Sequence, residues 1–280
     1  MALRFAYNTN GAANHRLVDA IALISDAGYD GIALTLDFQH LDPLEDGWVA
    51  RTEALARELR ARRLGCVIET GARFLLDPRH KHEPTLLTPQ AEGRARRVAF
   101  LQRAIDIGNI LQAEAVSFWA GVPQPGVDRG EAGGWLLEGL AQVVEYGTRH
   151  GVTVALEPEP GMLVETLDDW ARLQPHLPGL TLALDLGHCL VTQEREPAAA
   201  VREFAGHLGT VAIEDMRRGD HTHLPFGEGD MDIPACLDAL EGIGFDRLVC
   251  VELSRESHRA DRMIPQSLDW LRRCREEKSR

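Results

Sequence analysis

Eight times along this 280-residue chain, a short apolar run rich in β-forming residues gives way to a longer stretch whose apolar positions recur at helical spacing. The runs cover residues 4–8, 31–36, 66–70, 115–119, 153–157, 181–185, 210–215 and 248–253. Patterns such as LVDAIALISDAG, AEGRARRVAFLQRAIDIGNILQ and IPQSLDWLRRC follow them. Near-continuous apolar strands are the signature of a parallel sheet covered on both faces, which needs a crossover helix between consecutive strands. Eight such units predict an α/β fold, a closed (β/α)8 TIM barrel occupying residues 1–280 as one domain. An open doubly wound sheet has less support, because the first strand-to-helix turn, NTNGAANHRL, has no G-x-G-x-x-G. Gly28, Gly65, Gly151 and Gly244 close helical patterns, where a left-handed residue is expected.

Composition narrows the partners. No apolar run approaches the roughly twenty residues of a bilayer span, and MALRFAYNTNGAANHR turns polar too early for a signal peptide, so a cytoplasmic protein without membrane contact is expected. The five cysteines (Cys66, Cys189, Cys236, Cys250, Cys274) form no C-x-x-C pair and read as reduced thiols. Thirty Lys and Arg against 43 Asp and Glu leave a net charge of −13, which disfavours nucleic acid as a partner. The clusters Arg60–Arg63 and Arg94–Arg97 are spaced like solvated helix faces.

A barrel gathers its chemistry at the C-terminal ends of its strands. There the sequence places Glu157 in TVALEPEPG, Asp185 followed by His188 in LALDLGHCL, and Glu252 in LVCVELSRE. Any one of these acids could cap a helix or pair with an arginine. Three converging on the barrel axis repel one another and lose hydration unless a cation sits among them. Carboxylates suit Mg or Mn, and added imidazole extends the set to Mn, Fe, Co or Zn. The seventh run leads into MRRGDHTHLPFGEGD, which delivers His221 and His223 to the same barrel end. Alternate residues of an extended loop share a side, so the pair could hold a second ion beside the first, with Glu157 or Asp185 bridging. The alternative is one histidine as ligand and the other facing substrate.

ALEPEPG, LDLGH, HTHLPFGEGD and VELS, in that order, resemble the xylose isomerase-like TIM barrel superfamily, which holds sugar isomerases and epimerases and the zinc-dependent abasic-site endonucleases. The resemblance implies metal ligation by Glu157, Asp185 and Glu252, with His188 lining the site and His223 matching the histidine before the family's G-x-G turn. One position departs. Where members carry a metal-binding histidine on strand seven, three residues before an acid, this chain has Ala212. Glu214, two residues on and on the same strand face, could take its place, as could His221 or His223. The additional H-x-H resembles the multi-zinc endonuclease branch.

Substrate contacts are expected from the long segment ETGARFLLDPRHKHEPTLL, which carries Glu69, Arg73, Arg79, His80, Lys81 and His82 and reads either as a lid over an anionic or hydroxyl-rich ligand or as a solvated loop. Trp119, with Phe118 and Phe74, could pack on a sugar face or join the core. Arg217 is the expected oxyanion contact by family position. The implied chemistry is a cation chelating the carbonyl and adjacent hydroxyl of a small ketose, aldose or cyclitol and stabilising the enediolate oxygen. Glu157 and Glu252 would remove and return the proton, giving isomerisation or epimerisation. Loss of a β-hydroxyl (a dehydratase), metal-assisted hydrolysis of a small phosphoester, and a barrel with a decayed site used for binding stay open, Ala212 being the feature behind the last. A homodimer is compatible with this reading.

Overall fold

In the computed structural model, which describes residues 2–71 and 73–276, eight parallel strands close into a barrel. They are β1 (Arg4–Asn8), β2 (Gly31–Thr35), β3 (Gly65–Glu69), β4 (Val116–Trp119), β5 (Val154–Glu157), β6 (Leu180–Asp185), β7 (Leu208–Ile213) and β10 (Leu248–Val251). Their order around the ring is β1-β10-β7-β6-β5-β4-β3-β2, and β1 pairs with both β10 and β2 to complete it. Period-two alternation separates two cores. Ala6, Ala33, Val67, Ala115, Leu248 and Cys250 fill the barrel interior, while Phe5, Tyr7, Ile32 and Leu34 join the larger core beneath the helices. Small interior side chains leave the axis free for the strand-end carboxylates above them.

The helices among the described residues are α1 (Leu17–Ala27), α2 (Trp48–Arg62), α3 (Ala91–Leu111), α4 (Arg129–His150), α5 (Leu167–Leu173), α6 (Leu186–Thr192), α7 (Pro197–Glu203), α8 (Ile233–Gly242) and α9 (Ala260–Glu276). None is long and apolar enough to cross a membrane. Helix α6, a single short element directly after β6, was not part of the predicted pattern.

Four expectations are corrected. Gly28 and Gly151 cap helices in the left-handed region, and Gly244 has φ +68°, but α2 ends on a left-handed Arg63. Gly65 instead opens β3, where a Cβ would lie 3.0 Å from the Arg4 Nη2. Arg97 is not on a solvated face: it is buried, with its guanidinium over the Trp119 and Phe100 rings. Strand seven stops at Ile213 rather than at 215, and residues 215–217 start a hairpin, β8 (Asp215–Arg217) with β9 (Asp220–Leu224). His221 and His223 therefore lie on a strand, not on a loop. The cause is Asp215: its buried carboxylate accepts from Gly227 N (2.8 Å) and Met231 N (3.1 Å), folding the returning chain over the barrel mouth.

Candidate metal centre and substrate cavity

Asp185 is both the last residue of β6 and the N-cap of α6, its Oδ1 accepting from the His188 N at 3.1 Å. This cap starts the short helix and swings the His188 side chain over the strand ends. The His188 Nδ1–H donates to the Pro158 carbonyl at 3.1 Å, which fixes the tautomer and leaves Nε2 for the centre. That Nε2 lies 3.1 Å from His221 Nε2, 3.5 Å from Asp185 Oδ2 and 3.8 Å from Glu159 Oε2. Glu157, closing β5, brings Oε1 to 3.7 Å from His188 Nδ1.

Glu214 enters from the neck of the hairpin, fully buried, with Oε2 4.0 Å from His223 Nδ1. Its carboxylate fits because residue 187 is glycine: a Cβ there would stand 2.3 Å from Glu214 Oε1. Ala212 stands in register with Asp185 and lines the barrel interior beside it. The acid two residues beyond Ala212 reaches the donors of Asp185 and His223.

Three sets of donors each converge within 4.8 Å: His188, His221 and His223; Glu157, Asp185 and His188; and Asp185, Glu214 and His223. Asp185 Oδ2, both Glu214 oxygens and His223 Nδ1 are buried with no hydrogen-bond partner. Each such atom costs roughly 1–3 kcal/mol if left unpaired, more when charged. Buried carboxylates interleaved with imidazoles and lacking other donors are what a first-row divalent cation requires, so the residues fit such an ion.

The electrostatics agree. Burial, then the neighbouring Glu159, holds the Glu157 carboxyl well above its ordinary pKa; burial, then Asp185, does the same for Glu214. Glu159 and Glu69 are pushed up to about 7, chiefly by burial. Burial would raise Asp185 too, but His188 and His223 pull it below the usual range. His221 and His223 are pushed down to about 4, burial being the main cause, so both present lone pairs at neutral pH.

Glu252, one residue beyond β10, belongs to none of the three converging sets. Its Oε1 accepts from the Asn10 Nδ2 at 2.8 Å, and burial, then Asp185, raises its pKa. It shares with Glu157 a cavity of about 340 Å³ at the barrel mouth. Their strands, β5 and β10, stand three places apart in the ring of eight. Of the expected substrate contacts, Arg73, Lys81, His82 and Trp119 line this cavity. Trp119 is held there between the His82 ring, edge-on at 5.1 Å, and the Arg97 guanidinium at 4.6 Å. Arg217 does not line it: the hairpin turns this residue to solvent, where its Nη2 donates to the Glu228 carbonyl at 3.3 Å. Phe118 is in the core, Phe74 is half exposed outside the cavity, and His80 pairs with Asp77.

The cavity also recruits Glu159, Asn10 and Arg255, which the sequence reading did not single out, and Glu69, which it counted only with the lid. Glu69 closes β3 as Glu157 closes β5, so the strand-end rule applied to every strand would have found it. Glu159 stands two residues after Glu157 in EPEP, a spacing that already hinted at a shared side. Asn10 and Arg255 carry no such signal alone.

A (β/α)8 barrel with a carboxylate and imidazole centre at the C-terminal mouth of its strands defines the class. The chain belongs to the xylose isomerase-like TIM barrel family, a model of which matches residues 21–274. An Escherichia coli relative, L-ribulose-5-phosphate 3-epimerase UlaE, is 23% identical over 248 residues, covering 86% of this chain and 87% of the relative. Among solved structures, the 3-keto-D-glucoside 4-epimerase YcjR from E. coli superposes with a TM-score of 0.79 at 16% identity, over 98% of this chain and 100% of that one. IolI, solved with a bound zinc atom, gives 0.77 at 18% identity, over 96% of each chain.

Proposed function

We propose that this protein is a divalent-metal-dependent isomerase or epimerase of a small polyhydroxylated carbonyl compound, a sugar or cyclitol. One observation carries the reading: two half-buried carboxylates from well-separated strands, Glu157 and Glu252, line one cavity beside a cluster of potential metal ligands in which Asp185 Oδ2, both Glu214 oxygens and His223 Nδ1 accept no hydrogen bond from an N–H group. Epimerase relatives and the zinc in IolI support it.

Asp185, Glu214 and His223 would hold the ion, with His188 and His221 beside them and Glu157 at the edge of the group. A divalent cation bound there supplies Lewis-acid stabilisation of negative charge developing on a substrate carbonyl oxygen. The protein's own work is proton transfer. Glu157 and Glu252 both have raised pKa values, the state a carboxyl needs to accept a C–H proton and give it back near neutral pH. Their separation in the ring supports a reading in which they approach a substrate from different sides, so that a proton taken by one and returned by the other would invert or relocate a stereocentre. Asn10 holds Glu252 in place through its amide. Trp119 offers an apolar ring face, and the hairpin brings His221 and His223 to the wall of the same cavity.

The test is proton exchange. Incubated in D2O with a panel of ketoses, aldoses and inososes, the metal-loaded protein should place deuterium on the carbon beside the carbonyl of at least one of them. Glu157→Gln and Glu252→Gln should each slow exchange by roughly 10²–10⁴-fold. Exchange at the wild-type rate in both variants would refute the assignment.

A further inference from the structure

The cavity is lined by charges of both signs. Besides the carboxylates and imidazoles it has Arg73 and Lys81, from the segment after β3, and Arg255, from the turn after β10. Several basic side chains of this molecule are engaged, Arg195 with Asp168, Glu194 and Glu203, Arg218 with Glu196, and Arg4 with Glu114, while unpaired ones such as Arg57, Arg79 and Arg96 are exposed to solvent and line no part of this cavity. Among the described residues, the side chains of Arg73, Lys81 and Arg255 make no ion pair within 4.0 Å and no hydrogen bond. Carboxylates are plentiful in a chain with 43 Asp and Glu, and several stand in this very cavity. The field of Arg73 reaches Glu69 and Glu252, and that of Arg255 reaches His221 and His223, yet neither closes onto a partner.

Three cations from two loops, unpaired around one cavity of an acidic protein, mark a place where the ligand brings the counter-charge. We propose that Arg73, Lys81 and Arg255 form an oxyanion subsite, and that the substrate carries an anionic group, a phosphate monoester or a carboxylate, at the end of its carbon chain away from the reacting carbonyl. The cavity's volume of about 340 Å³ lies at the small end of the range for small-molecule sites, suited to a short sugar with one such group. Arg73 and Arg255 supply planar forks that match two oxygens at once, and Lys81 adds a point charge at the rim. The cluster also offsets the repulsion an anion meets on approaching a protein of net charge −13. The subsite stands on the cavity alone; its place relative to the reacting carbon rests on the isomerase reading.

The experiment has two arms. In the first, binding of inorganic phosphate to the purified protein is followed by 31P line broadening, for the wild type and for Arg73→Gln/Arg255→Gln, which leaves the metal-ligating residues untouched. Affinity should fall by about tenfold to a hundredfold, the scale of losing charge-assisted hydrogen bonds. Unchanged binding would mean that phosphate sits on the metal or elsewhere, and would overturn the proposal. In the second arm, deuterium exchange is compared for a ketopentose 5-phosphate, the free ketopentose and a keto-uronate. Preference for the phosphate or for the uronate supports the subsite and names its anion, and KM rather than kcat should rise in the double variant. Preference for the neutral sugar, with KM unmoved by the double variant, would overturn it. Phosphate binding lost in the variant, with no exchange on any substrate, would leave the subsite standing and remove the isomerase reading.

Discussion

Glu214 is the residue on which the centre turns. In a metal-free protein its carboxyl is buried against the Asp185 carboxyl, with which it can share a proton, and finds no N–H donor for either oxygen, a costly arrangement that a bound cation would relieve. Glu214→Gln therefore has effects of opposite sign. Metal affinity, measured by competition with a chromogenic chelator, should fall by about tenfold to a hundredfold or more. The melting temperature of the chelated protein should rise, because a buried group that resists ionisation has been replaced by a neutral amide. An unchanged affinity would remove Glu214 from the centre. Asp215, its neighbour, does the opposite job: satisfied by two backbone N–H groups, it holds the hairpin turn and has nothing to offer an ion. Strand alternation sends these adjacent acids to opposite sides, and the position of Ala212 already pointed to Glu214 as the one facing the site, whereas nothing in the sequence announced the turn-holding role of Asp215. Glu157, Asp185 and His188 were legible because each ends or follows an unambiguous apolar strand. Arg217 was misplaced for the converse reason, its position depending on a reversal of the chain that leaves no apolar pattern.

At the level of elements, the barrel strands were readable from runs of buried residues, because a strand covered on both faces must be apolar throughout. Their ends were less so: TVAIED continues the strand pattern past the point where the chain leaves the barrel. Helix α6 escaped notice because it is only seven residues long and begins inside the LDLGH motif, where the functional residues mask the helical spacing. Its closeness to the centre depends on Gly187. A methyl group there would meet Glu214 Oε1 at 2.3 Å and Met216 Cγ at 2.8 Å, in a region with no spare volume. Gly187→Ala should push α6 or the Glu214 carboxylate aside, costing about 1–3 kcal/mol of stability. It should also lower metal content, since His188 rides on the same helix. Differential scanning calorimetry and elemental analysis of the one variant would show both losses. If only stability falls, the glycine is there for packing, and Glu214 keeps its place without it.

For the whole molecule, the centre makes stability depend on pH in two ways that can be separated by chelation. In the metal-free protein, burial pushes the Glu69 and Glu159 carboxyls up to about 7 and holds those of Glu157 and Glu214 well above their ordinary value. A raised carboxyl pKa means that the folded state binds more protons than the unfolded one, so its contribution is complete below about 4.5 and is lost as pH rises through about 7 and beyond. His221 and His223, near 4 against 6.5, have the other sign: their contribution is complete above 6.5 and lost as pH falls toward 4. Above about pH 6.5 those two histidines are silent while the carboxyls that titrate about 7 are still losing their contribution, so the chelated protein should melt at a lower temperature at about pH 8 than at about pH 6.5. A cation inverts this dependence. It binds the deprotonated ligands, so its affinity and its stabilisation by mass action grow with pH. The gap in melting temperature between metal-loaded and chelated protein should therefore widen steadily from about pH 6 to about pH 9, reaching several degrees for a chain of this size. A gap that stays constant across that range would mean that the buried acids and the ion do not share a site, and that the barrel mouth solves its charge problem by some means other than a metal.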